Sequence, residues 1–217
     1  AHAATIDAFI VKLLKSFQSY AQGGKMVRGA LTELGYKMSG GTNTKAIIPV
    51  SLGIELLHNF ILIHDDIIDK DDLRRGKPTI HKKFSDRGYH RGISYAIITG
   101  DIGAFLGYEL IVASSFPKEK IVRALACLND FLLKTAYGQI LDIEFDSKKD
   151  ITWDEILKVR TYKTAYYTFA MPLSVGAILA GAKEAKLKAI EKYSLPVGIA
   201  FQLVDDVLGV FGDIKIT

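Results

Sequence analysis

Apolar residues recur at three- and four-residue steps along almost the whole chain, and this pattern constrains the fold more than any other feature. Ile47, Val50, Ile54, Leu57 and Ile61 form one such series, and Leu128, Phe131, Leu132 and Thr135 another. A 3.6-residue period keeps these positions on one face of an α-helix, and the sustained alternation that a half-buried strand needs is absent. Only 5 prolines occur in 217 residues, so long helices meet few obligatory breaks. The chain lacks repeats and low-complexity linkers. The expected architecture is all-α, one domain over residues 1–217, built as an antiparallel bundle of roughly eight helices.

Punctuation fits that reading. Gly40-Gly41-Thr42-Asn43, Arg74 to Pro78, and Ser85 to Gly92 read as loops. Pro117 opens a helix at a first-turn position, Thr152 with Glu155 forms a capping box, and Gly181 closes a long apolar helix. Ala165 to Ala182 carries no charge over 18 residues, the lower limit for crossing a bilayer. Its Tyr166, Tyr167, Thr168, Pro172 and Ser174 fit a buried core helix better, so no transmembrane segment is expected. The one cysteine, Cys127, excludes an internal disulfide and fits a reducing, cytoplasmic setting. Its apolar neighbours 124–128 mark it as core filler. No secretory signal is visible. The chain starts at Ala1 and stops at Thr217 just after an acidic motif, so terminal segments, including C-terminal helices, are expected to be missing.

The formal charge of +4 suits an anionic partner. The basic residues are scattered without a long Lys/Arg run, which argues against nucleic acid. Two acidic clusters each end an apolar run: Asp65-Asp66-Ile67-Ile68-Asp69, and Asp205-Asp206 followed by Asp213. Asp65 and Asp69 lie four apart and share a helix face about 6 Å apart. Two carboxylates so placed repel unless a cation bridges them, and an oxygen-rich site with room for phosphate oxygens suits Mg²⁺. A solvated helix end is the plain alternative. Arg74-Arg75-Gly76 follows the first cluster, and guanidinium forks hold phosphate in bidentate fashion. Further candidates are Lys25 and Arg28, three apart and read as sharing a helix face, with His58 and Lys163-Thr164. Gln139 and Asp142 are a polar pair amid apolar residues, either a satisfied core network or a site wall.

These residues resemble the trans, head-to-tail isoprenyl diphosphate synthases of the geranylgeranyl and farnesyl diphosphate synthase type. Asp65 to Asp69 followed by Arg74-Arg75-Gly76 is similar to that family's extended DDxxD motif. Gly24-Lys25-Met26-Val27-Arg28 is similar to its GKxxR segment, Gly138-Gln139 with Asp142 to GQxxD, Lys163-Thr164 to KT, and Phe201-Gln202 with Asp205-Asp206 to FQxxDD. The motifs occur in family order along essentially the whole chain. Met26 and Gly29 depart from the usual Arg and Pro, and Gly209 replaces a final acid.

The resemblance implies an isoprenoid-synthase-type helical bundle around a central cavity, acting as a homodimeric prenyltransferase. It would condense an allylic diphosphate with isopentenyl diphosphate, with Mg²⁺ as cofactor, three ions when substrate is bound. By the same resemblance, Asp65, Asp69 and Asp205 are the metal ligands, supported by Asp66. Arg74, Lys163 and Gln202 would hold the allylic diphosphate. Lys25, Arg28, His58 and Arg75 would hold isopentenyl diphosphate, while Thr164 and Gln139 flank the reacting carbons. Phe60 would act as a floor that limits the product, with ordinary core its plain alternative, and Ile61, one turn below Asp65 in place of a second aromatic, suggests geranylgeranyl diphosphate (C20) over farnesyl, with a longer product the alternative. Rival readings are a terpene cyclase, against which Arg74-Arg75-Gly76, Lys25 and Arg28 speak, and a non-catalytic regulatory subunit, which should lack the first acidic motif. A helical binding module with solvated acidic ends would show no Mg²⁺ dependence.

Overall fold

A computed structural model describes residues 5–86 and 88–212. In chain order the helices are α1 (Ala8–Ala21), α2 (Val27–Met38), α3 (Thr44–Ile68), α4 (Ile80–Lys83), α5 (Tyr89–Val112), α6 (Lys118–Asp146), α7 (Trp153–Val159), α8 (Met171–Ala180) and α9 (Glu184–Phe211). A π-helical segment, Arg160–Ala170, joins α7 to α8. Two-residue strands β1 (Leu73–Arg74) and β2 (Lys77–Pro78) are the only strands among the described residues. The chain packs as two compact units: residues through Met26 with Pro49–Ser114, and Val27–Ile48 with the residues from Ser115 onward.

The apolar period becomes burial. Ile47, Val50, Ile54 and Leu57 are at most 1% exposed, and Ile61 is half-buried. Fully burying each such side chain contributes about 1.5–3 kcal/mol. In the first unit Phe17, Ile63, Ile80, Phe84 and Ala96 form a core closed by Phe9 and Tyr95. Asp7 starts α1 by accepting a hydrogen bond from Phe9 N–H at 2.6 Å. In the second unit every residue of α8 from Met171 to Leu179 is buried, as expected for the uncharged stretch 165–182. There α2 and α8 approach so closely that a Cβ on Gly35 would lie 2.2 Å from the Leu173 carbonyl oxygen, and one on Gly176 2.0 Å from that of Thr32. Gly181, at φ 96°, ends α8 with Ala182 N–H bonded to the Ala177 carbonyl, a Schellman closure.

Several local expectations are corrected. The segment 74–78 is a hairpin with Leu73 opposite Pro78, not an open loop. Arg75 and Gly76 both take positive φ, 52° and 71°, as a two-residue hairpin turn with the strands' own twist requires. Gly92 lies inside α5, where any Cβ would meet the His81 carbonyl oxygen at 2.2 Å, so this glycine serves packing and not the turn before it. The first third of the uncharged stretch, 165–170, is π-helical. Cys127 is only half-buried, yet burial and then the Asp130 and Glu191 charges push its thiol up to about 12, which keeps it protonated and unreactive. Three helices, Thr44–Ile68, Tyr89–Val112 and Glu184–Phe211, are long and apolar enough to cross a membrane by length and composition. The expectation of no such segment considered only the stretch 165–182.

The capping box at α7 is present: Thr152 Oγ1 accepts from Glu155 N–H at 3.3 Å and Glu155 Oε2 accepts from Thr152 N–H at 3.0 Å. Lys148 Nζ donates to Glu155 Oε1 at 2.5 Å. The Lys148 hydrogen bond, then the Thr152 backbone, hold the Glu155 carboxyl down at about 2 instead of 4.5. A depressed folded-state value means that the cap's contribution is complete above pH 4.5 and is lost as pH falls through 2. Carboxyl NMR titration of Glu155 should therefore show a midpoint near 2, moving upward in Lys148→Met. A wild-type midpoint in the ordinary range would contradict the ion pair.

Candidate active site

In the first unit the site is built at the end of α3. Asp66 is 1% exposed, while Asp65 is half-buried and Asp69 exposed. Tyr20 Oη donates to Asp66 Oδ2 at 2.7 Å, and Arg74 Nε donates to Asp66 Oδ1 at 2.7 Å. The same guanidinium reaches Asp71 Oδ2 at 3.0 Å. Burial pushes the Asp66 carboxyl above its ordinary value, against the pull of the Tyr20 and Arg74 hydrogen bonds. Burial works against the Arg74 charge, but Asp66 outweighs it and raises the guanidinium further. Burial, reinforced by Asp66, likewise raises the Tyr20 phenol, which stays a hydrogen-bond donor. Asp66 is thus bound inward, and Arg74 is committed to it.

Arg75 follows with its guanidinium against Gly23-Gly24. A Cβ on Gly24 would lie 2.7 Å from Arg75 Nη2, which that flexible side chain could yield, but Gly24 takes φ 133°, a conformation that favours glycine. A cavity of about 280 Å³ lies beside it, lined by Tyr20, Gly23, Arg74, Arg75, Lys77 and Lys83 among others. Lys25 is exposed in the turn before α2. Because α2 begins only at Val27, and Met26 has φ 47°, Lys25 and Arg28 do not share a helix face. His58 and Phe60 are half-buried on α3, with the Phe60 ring edge-on to His64 at 4.8 Å.

The second unit gathers the other candidates on the π-helical segment, α6 and α9. Gly138 faces Lys163 so closely that a Cβ would meet its backbone nitrogen at 2.2 Å, and Lys163 Nζ donates to Asp142 Oδ2 at 2.5 Å. Thr164 is 9% exposed. Gln139 Nε2 is buried without a hydrogen-bond partner, so the 139–142 pair is not a satisfied core network. Arg28 Nη2 donates to Thr168 Oγ1 at 2.6 Å, and its guanidinium lies 4.1 Å over the Tyr167 ring. On α9, Asp206 Oδ1 accepts from Gln202 Nε2 at 2.8 Å, and its Oδ2 forms an ion pair with Arg160 Nε at 2.8 Å that lacks hydrogen-bond alignment, while Asp205 is exposed. Asp213 lies outside the described residues.

Both acidic motifs therefore follow one plan. An arginine ion pair and a side-chain hydrogen bond engage one carboxylate, Asp66 or Asp206, and the chain-adjacent acid is the more accessible of the two, Asp65 half-buried and Asp205 exposed. Among the described residues no group of three His, Cys, Asp or Glu forms a ready-made metal cage. The donor set nevertheless fits Mg²⁺, which binds through one or two carboxylates and completes its shell with water and phosphate oxygens. Tyr20, Tyr167, Thr168 and Arg160 were not legible as site residues. Their partners lie 46 or more positions away, and no local pattern marks them.

The sequence matches the family model described as "Polyprenyl synthetase" over residues 11–217. It is 34% identical over 202 residues to a geranylgeranyl diphosphate synthase of Sulfolobus acidocaldarius, covering 92% of this chain and 58% of that protein. It is 35% identical over 194 residues to a (2E,6E)-farnesyl diphosphate synthase of Mycobacterium tuberculosis, covering 89% of this chain and 51% of that one. Among solved structures, the geranylgeranyl pyrophosphate synthase of Corynebacterium glutamicum, complexed with isoprenyl diphosphate and magnesium, superposes with a TM-score of 0.92 at 32% identity, covering 100% of this chain and 65% of that one. The chain thus spans little more than half the length of these two curated relatives.

Proposed function

Because the chain belongs to the polyprenyl synthetase family, with the all-α isoprenoid-synthase fold of its relatives, we propose that it carries the catalytic residues of a head-to-tail prenyltransferase. It would condense an allylic diphosphate with isopentenyl diphosphate, giving geranylgeranyl diphosphate. The observation that carries this reading is the shared plan of the two acidic motifs, each tethering one aspartate and presenting its neighbour.

Asp65 and Asp69, together with Asp205, would hold the Mg²⁺ ions that accompany the allylic diphosphate. Bound Mg²⁺, three ions with substrate in place, supplies positive charge to the departing diphosphate. Lys163, Gln202 and Arg74 would bind the allylic diphosphate. Lys25, Arg28, His58 and Arg75 hold the diphosphate of isopentenyl diphosphate. The allylic C1–O bond breaks, giving a carbocation and free diphosphate. The isopentenyl double bond attacks C1, and the departing diphosphate takes the proton lost from C2. Thr164 and Gln139 would flank the reacting carbons, and aliphatic side chains would keep water away. The two units act as one catalytic domain, and the protein works as a cytoplasmic homodimer. Nucleic acid has no role, and α3, α5 and α9 are read as bundle helices, not spans. The relatives' structure supports this for all three, and burial supports it for α3, whose apolar stretch is 56% buried against 39% in α5 and 11% in α9.

Incorporation of labelled isopentenyl diphosphate with Mg²⁺ and C5, C10 or C15 primers tests the reading. Extension of a primer is expected, whereas ionisation of the primer without incorporation would indicate a cyclase. If Phe60 is the floor of the tail cavity, Phe60→Ala lengthens the products on chromatography. Unchanged lengths remove it from that role.

A further inference from the structure

The cavity beside Arg75 shares Ser16 and Lys83 with a larger open groove of about 600 Å³, lined by Ala8, Val11, Lys12, Lys15, Ser16 and Lys83. Among the described residues of its lining, every charged one is cationic. Lys12 and Lys15 lie three apart on α1 and so share a face, while Lys83 ends α4. Two other cations nearby are neutralised, Lys82 by Asp72 at 2.8 Å and Arg74 by Asp66 and Asp71. Lys12, Lys15 and Lys83 have no carboxylate partner among the described residues. Lys12 is nonetheless anchored, its ammonium 5.5 Å from the centroid of the buried Phe84 ring, which keeps it beside Lys83.

We propose that this groove is a second diphosphate-binding site, distinct from the residues assigned to the reaction. Like charges crowded into one concavity repel, and an anion that bridges them relieves the repulsion. Ammonium groups suit phosphate because each carries three donors on a flexible stem. Ala8 and Val11 add a short apolar wall for the carbon attached to such a headgroup. Lysines from two elements surrounding a concavity match a compact, free anion better than a flat lipid surface, although a phospholipid headgroup shares the chemistry.

Binding can be read without catalysis, so the outcome is independent of the transferase reading. Inorganic pyrophosphate is titrated calorimetrically into the protein in EDTA, and cosedimentation with phosphatidylglycerol vesicles is measured in parallel. K15Q/K83Q leaves the Lys12–Phe84 contact in place. Each lysine removed should weaken binding about tenfold, hence about 100-fold for the pair, while R75Q keeps this binding. Equal affinity in wild type and K15Q/K83Q overturns the proposal. So does the absence of pyrophosphate binding, and vesicle binding in that case would make the face a lipid-headgroup surface.

Discussion

Replacing Asp65 with Asn is expected to lower kcat/KM by about 10²–10³-fold, with a raised Mg²⁺ requirement. The substitution keeps the size of the side chain and removes the charge from the acid that its motif presents. Groups that stabilise developing charge in a dry site carry about 10²–10³ each, and here the charge is that of a departing diphosphate. The comparison that gives the result meaning is Gln139→Leu, which removes a buried unpartnered donor and should cost less. Activity of Asp65→Asn within tenfold of wild type would show that the carboxylate is not a cation ligand.

The second large effect is on stability. Arg74→Met should destabilise the first unit by about 3–5 kcal/mol, because it strands a buried charge instead of removing a surface pair. Asp66, 1% exposed, would keep only the Tyr20 hydroxyl, and Asp71 would lose the same guanidinium. Adding Asp66→Asn should restore part of the loss, since a neutral amide costs less to bury than an unpaired carboxylate. Chemical denaturation of the single and double variants reads this out. A loss below about 1 kcal/mol for Arg74→Met, the range of a surface pair, would mean that Asp66 is not held as described.

These two residues illustrate what could be read from the chain and what could not. Asp65 and Arg74 are legible because their motif is local: acid spacing on a helix and a following Arg-Arg-Gly. The helical fold is legible for the same reason, since Ile47, Val50, Ile54 and Leu57 mark one face by their spacing alone. That Asp66 turns inward while Asp65 does not depends on Tyr20, 46 residues away, and Arg28 finds Thr168 across 140 residues. Partner choice at such separations is set by packing, which periodicity does not encode. Backbone detail failed for a related reason. Lys25 and Arg28 have helical spacing, but Met26 takes positive φ before the helix starts. The π-helical turn of Arg160–Ala170 leaves no mark in an apolar pattern that also suits an α-helix.

If the 65–69 acids and Asp205 act on one diphosphate, their contributions must be coupled. The direct measurement is a double-mutant cycle, with Mg²⁺-dependent pyrophosphate affinity determined by calorimetry for wild type, Asp65→Asn, Asp205→Asn and the pair. The expected result is a clearly non-additive loss, a coupling of about 0.5–3 kcal/mol. Strictly additive losses would place the two carboxylates at separate sites and contradict the proposed mechanism.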